Sequence, residues 1–183
     1  MSEAPKEGLA DFLDCMRQIA YDYEPADTPA ALAAEADAVV TGTIVALRPG
    51  QTYAPAPNGG PDTTTSVLEV KVDQVVAGGS AVVADGSVYV EVSSFEHAPC
   101  PATVPRAYGV FFLDDRTNQP YSETILDKGA GRPAGARITA PFVQGFLLEN
   151  PDGKLVSVWE PFETMPRAWR GLDSVEDVVA KLD

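Results

Sequence analysis

Five or six strand-patterned segments follow one another between residues 38 and 159, and no helix-patterned segment separates them. Ala38–Leu47 is rich in β-branched residues, with Gly42 in its middle marking a bulge or a sharp bend. Over Thr64–Val76, Leu68, Val70 and Val72 alternate with Glu69, Lys71 and Asp73, the pattern of a sheet with one wet face. In Ser87–Ser93, Val88, Val90 and Val92 point one way and Tyr89 and Glu91 the other. Ala107–Leu113 is apolar on both faces and therefore central. Phe142–Leu148 and Leu155–Trp159 read as a hairpin around Asn150-Pro151-Asp152-Gly153. A doubly wound parallel sheet needs helices between its strands, so an antiparallel barrel or sandwich is the natural solution. The glycine-kinked first strand, and a proline- and glycine-rich loop over residues 48–63, favour the oligonucleotide/oligosaccharide-binding (OB) type. The expected fold is mainly β: a five- to six-stranded antiparallel OB-like barrel with flanking helices at its N- and C-termini.

Apolar spacing predicts those helices. Leu9, Phe12, Leu13, Met16, Ile19 and Ala20 form one stripe over residues 4–21. A second, short helix is capped by Asp27 or Thr28, with Pro29 in its first turn. The last helix is capped by Asp173 or Ser174, carries Glu176 in its first turn and buries Leu172, Val175, Val178, Val179 and Leu182. With 183 residues, the chain suits one domain. It divides into N-terminal helices (1–35), a barrel (36–160), and a strap with the C-terminal helix (161–183). A polar stretch over 114–139, too long for an ordinary connection, marks a functional or mobile segment.

Charge and composition narrow the partners. Aspartate and glutamate number 27 against 13 lysines and arginines, giving a formal charge of −14. Such a surface opposes binding to polyanionic nucleic acid and favours a monomer when isolated. No apolar run approaches the roughly 20 residues of a membrane span.

From Ala36 to Leu113 the layout resembles a broad group of bacterial exported proteins of mostly unknown function. These are similar to the barrel domain of the tissue inhibitors of metalloproteinases. The residues that carry this are Ala36–Ile44 with its Gly42-Thr43, the alternating Val67–Val76, and Tyr108-Gly109-Val110-Phe111-Phe112-Leu113. The resemblance implies a barrel and an exported location after signal removal; the alternative is a cytoplasmic protein, since Met1–Glu7 lacks the features of a secretory signal. The inhibitory mechanism does not carry over, because it needs an exposed N-terminal cysteine and the first cysteine here is Cys15, inside a predicted helix. Cys15 and Cys100 form either a disulfide or two buried free thiols. A bond would close a loop of about 85 residues, worth roughly 4–5 kcal/mol.

Few residues offer chemistry. His97 is the single histidine, and Glu96-His97-Ala98-Pro99-Cys100 lacks the further ligands of a metal site or the orienting group of a nucleophile pair. Asp114 and Asp115 are adjacent on a strand and point to opposite faces. Gly129-Ala130-Gly131-Arg132-Pro133-Ala134-Gly135 lacks the Lys-Ser/Thr of a phosphate loop and reads as a flexible loop. No cofactor or metal is expected. Tyr53, Tyr121, Trp159, Phe162 and Trp169 lie in or beside predicted loops. They form a binding platform; alternatively, the Trp159–Arg170 segment wraps the barrel as a proline-rich strap and buries its rings as core. The expected function is a non-catalytic binding or accessory domain for a protein or cell-envelope component. The alternatives are an assembly subunit and, last, a hydrolase.

Overall fold

The first strand is long and bent enough to serve both walls of a barrel. In the computed structural model, which describes residues 8–18, 21–54, 60–92, 104–119 and 124–183, β1 spans Ala38–Ala54 and pairs antiparallel with β2, Thr63–Gly78. Their ladder shifts register four times, once between Thr41 and Gly42. A Cβ on Gly42 would stand 2.4 Å from the Lys71 carbonyl oxygen, so the bend requires glycine. Beyond it the other edge of β1 changes partner. Ala38–Thr43 pairs with β4, Tyr108–Asp115, and Tyr53–Ala54 pairs with β5, Thr124–Ile125.

The other strands extend this sheet. β3, Ser87–Val92, pairs with β2. β6, Thr139–Glu149, pairs with β4, and β7, Leu155–Ser157, folds back on β6. The order β2-β3-β6-β4-β1 returns to β2. Between β3 and β6 the contact is one parallel step, Val90 opposite Thr139, reinforced by the Thr139 hydroxyl donating to the Tyr89 carbonyl (2.9 Å). The result is the mainly β, mostly antiparallel, helix-flanked architecture expected, with the barrel thin at that seam.

Residues 48–54 correct the expected loop, since they continue β1. Pairing with β2 overrides the local signal of Pro49 and Gly50, and a Cβ on Gly50 would lie 2.4 Å from the Thr65 hydroxyl. Residues 124–139 are likewise more ordered than expected. They contribute β5 and lay Ala136 and Ile138 over Val67 and Tyr89.

Alternation on the strands separates two apolar layers. Val40, Ile44, Leu68, Val88, Phe111 and Phe146 fill one, together with Leu9, Phe12, Leu13 and Met16 of α1, Leu9–Met16. Val39, Val110, Phe112 and Leu147 face the other, covered by α2 (Pro29–Glu35), the strap and α3 (Val175–Val179). β4 is apolar on both sides because each side has its own cover. The described helix α1 is shorter than the predicted 4–21; residues 1–7 and 19–20 lie outside the described set. Thr28 caps α2, accepting from the Ala31 N–H at 3.0 Å. Ser174 caps α3, Glu176 stands in its first turn as expected, and Asp177 is the reciprocal acceptor of the capping box. Among the described residues no helix is long and apolar enough to cross a membrane.

Candidate functional site

The candidate aromatic residues do not share one face. Trp169 is fully buried; its indole N–H donates to the Ala26 carbonyl (2.9 Å) and its ring lies 6.0 Å from that of Phe112. Trp159 is buried between Tyr21 (5.1 Å) and Phe146 (5.3 Å). Phe162 is half-buried against the same layer as Trp169. The strap therefore uses its tryptophans as anchors. Tyr53 is buried elsewhere, near the β5 end of β1. Tyr121, His97 and Cys100 lie outside the described residues.

Asp114 and Asp115 diverge as their alternation requires. Asp114 pairs with Arg116 (2.7 Å) and accepts from Gln119 (3.1 Å). Burial pushes its carboxyl up, Arg116 and Gln119 pull it back, and the nearby Asp37 adds to the rise, so the net direction is upward. Asp115 pairs with Arg137 and accepts from the Thr117 N–H (3.0 Å). Burial works to raise it too, but Thr117 and Arg137 outweigh that and hold it below the usual range. The two carboxyls thus do not face one bond. Within the Gly129–Gly135 run Gly131 is tightly packed, whereas Pro133–Gly135 are exposed. Gly131 has φ +84°, and a Cβ there would meet Val67 at 2.8 Å and the Pro49 carbonyl at 2.9 Å.

That run closes over a polar system that the sequence did not announce. Gln51, 1% exposed, sits at its centre. Its carboxamide oxygen accepts from the Gly129 N–H (3.1 Å) and from Arg132 Nη1 (3.2 Å), while its Nε2 donates to the Tyr53 hydroxyl (2.8 Å). Tyr53 donates in turn to the Glu91 carboxylate, with oxygens at 2.9 and 3.0 Å. The Thr65 hydroxyl reaches Glu91 at 2.9 Å and the Gln51 carbonyl at 3.2 Å, and its single proton serves one at a time. Arg132, Gln51, Tyr53 and Glu91 are therefore one directional chain of donors from a guanidinium to a carboxylate. Aligned bonds of this kind polarise one another and rigidify the group.

At the cationic end lies a pocket of about 200 Å³. The far end of β1 supplies Gln51, the turn after β4 supplies Arg116, Thr117, Asn118 and Gln119, and the segment leading to β6 supplies Lys128 and Arg132. No described lining residue is acidic. The Thr117 hydroxyl is occupied, accepting from the Ile138 N–H at 3.0 Å. Glu91, at the anionic end, lines a cleft of about 280 Å³ with Tyr21, Trp159 and Arg116, beside the thin β3–β6 seam. A wider hollow of about 380 Å³ lies between Pro105–Tyr108 and the Asn150–Gly153 turn, where Arg106 stands among Glu149 and Asp152 and no charge accumulates. Among the described residues, no group of three or more His, Cys, Asp or Glu side chains is placed to hold a metal ion.

Gln51 was hidden because it falls in an apparent loop. Lys128 precedes the glycine run and Arg132 lies within it, and that spacing was the only local signal of the pocket. No protein-family model, curated protein or solved structure matches the chain.

Proposed function

We propose that the chain is a non-catalytic binding domain whose ligand, a protein or cell-envelope component, docks at the barrel end between β1 and the β4–β6 connection. The observation that carries this is the Gln51-held pocket. Hydrogen bonds hold Gln51 and Arg132 in place before any ligand arrives, which lowers the ordering cost of binding. Its groups suit binding more than turnover: guanidinium, ammonium and carboxamide donors, with the one hydroxyl engaged in the fold. The apolar face of α1 is spent on the chain's own core, which disfavours a subunit held in a complex through that helix.

Kinship with the barrel domain of the metalloproteinase inhibitors is part of this reading, and the position of Cys15 inside α1 keeps their cysteine-dependent inhibitory mechanism out of the proposal. A Cys15–Cys100 disulfide, and with it an exported location, belongs to the same reading. In its favour, Cys15 is buried and no described cysteine is a free thiol.

A photo-crosslinking amino acid tests the docking position. Placed at exposed Asn118 on the pocket rim, it should yield one discrete adduct in producing cells; placed at Lys154, on the exposed β6–β7 turn, it should not. Equal labelling from both positions, or none from Asn118, would overturn the proposal.

A further inference from the structure

We infer that the pocket formed by Gln51, Arg116, Lys128 and Arg132 is an oxyanion site that takes the phosphate or carboxylate group of a small polar ligand. This rests on the binding-domain reading and adds the chemistry of the ligand.

Charge distribution is the first ground. Acids outnumber bases 27 to 13 in this chain, yet three bases and no acid line the described pocket. Gathering like charges costs free energy unless something offsets it. Arg116 has its own counter-ion, Asp114 at 2.7 Å. Arg132 has none among the described residues: its bonds go to two neutral oxygens, the Ala136 carbonyl (2.8 Å) and Gln51 Oε1 (3.2 Å). Lys128 makes no ion pair among the described residues, and the neighbouring Asp127 accepts from the Thr52 N–H. Among the described residues, two positive charges in a strongly acidic protein are thus left without a carboxylate partner.

Preorganisation is the second ground. Arg132 is half-buried and fixed in two directions, by the Ala136 carbonyl and by Gln51, which is itself held by Gly129 and Tyr53. The remainder of its planar fork is uncommitted, and such a fork matches the paired oxygens of phosphate or carboxylate. A merely structural Arg132 would gain nothing from the ammonium of Lys128 beside it. Glu91 stands at the opposite end of the hydrogen-bond chain, beyond Gln51 and Tyr53, and leaves the pocket end cationic.

Size and surroundings set the class. About 200 Å³ holds one small group. The described lining contains carboxamides and two isoleucines but no aromatic ring, so a nucleobase finds no stacking surface. The net charge of −14 repels extended polyanions. A phosphorylated or carboxylated sugar-sized molecule fits all three.

The test is a titration at low salt, followed by NMR on the Arg132 Nε–H and the Gly129 amide. The probes are inorganic phosphate, glucose 6-phosphate and glucuronate, with glucose as the uncharged control. At least one oxyanion should give a saturable shift and glucose none. Inorganic phosphate binding as well as the sugar phosphate identifies the free ion as ligand; tighter binding of either sugar acid identifies a substituted one. Lys128→Gln should weaken binding about tenfold, or about 1.4 kcal/mol, and Arg132→Gln should abolish it, while Lys154→Gln changes nothing. If Arg132→Gln unfolds the protein, Lys128→Gln decides alone, since the exposed Lys128 ammonium makes no ion pair among the described residues. Absence of saturation with every oxyanion, or unchanged affinity in Lys128→Gln, overturns the inference. If Asn118 still crosslinks a partner in that case, the binding-domain reading stands and only the oxyanion chemistry falls. Saturation without any crosslink leaves the site in place and removes the macromolecular partner.

Discussion

Replacing Trp169 by alanine separates an anchored strap from an exposed binding platform. The side chain is fully buried among Phe112, Val110 and Val178, and its N–H reaches the Ala26 carbonyl at 2.9 Å. Truncating a buried aromatic to alanine costs about 3–5 kcal/mol. The lost hydrogen bond adds at most about 1 kcal/mol, because Gln144 Nε2 also donates to that carbonyl (3.2 Å). The total, roughly 3–6 kcal/mol, is a large share of the ~5–15 kcal/mol that holds a domain together. With a urea dependence of about 2 kcal/mol/M, the unfolding midpoint should fall by roughly 2 M. Trp169→Phe keeps the ring contact with Phe112 and loses the donor, so its midpoint should fall by about half as much. Urea titrations followed by far-ultraviolet circular dichroism measure both. A shift below about 0.3 M in Trp169→Ala would refute the anchoring role, since that corresponds to a surface substitution.

Three further outcomes follow from the same packing and electrostatics. Burial, followed by the Glu160 carboxylate, pushes the Tyr23 phenol up to about 12. The fold therefore favours the protonated phenol: this contribution to stability is complete below the unfolded value near 10 and is lost as pH rises towards 12. A spectrophotometric titration of Glu160→Gln should show a lower Tyr23 midpoint, and an unchanged one would reject the carboxylate's role. Gly145→Ala places a Cβ 2.4 Å from Phe112 Cβ, where Trp169 backs the ring; it should cost about 1–3 kcal/mol or more in urea unfolding, against near-neutrality if β4 and β6 could part. Thiol labelling of the denatured, unreduced protein should find no reactive cysteine, and two labelled thiols would remove the Cys15–Cys100 proposal.

Strand patterning was legible wherever one segment carried its own signal. Phe111 and Leu113 against Val110 and Phe112 marked β4 as covered on both sides, and Gly42 marked the bend of β1. Local rules failed over residues 48–54 because Pro49 and Gly50 carry loop propensity, whereas pairing with β2 is a long-range term absent from any short window. The site was less legible than the fold. Polar residues such as Gln51 have no periodicity to read, and their meaning depends on what the fold sets against them.

The sequence by itself determined a mainly β chain, helices at both ends, an acidic surface and a scarcity of catalytic groups, because alternation, capping residues and charge are local or additive properties. Tertiary structure alone decided that the tryptophans are anchors and that Gln51, Tyr53, Glu91 and Arg132 form one hydrogen-bonded chain. It also decided that three of thirteen bases meet in one pocket. The physical reason is distance: Gln51 and Arg132 are 81 positions apart in the chain and 3.2 Å apart in the fold. Only the closing of β1 against the segment before β6 brings their charges and dipoles within range.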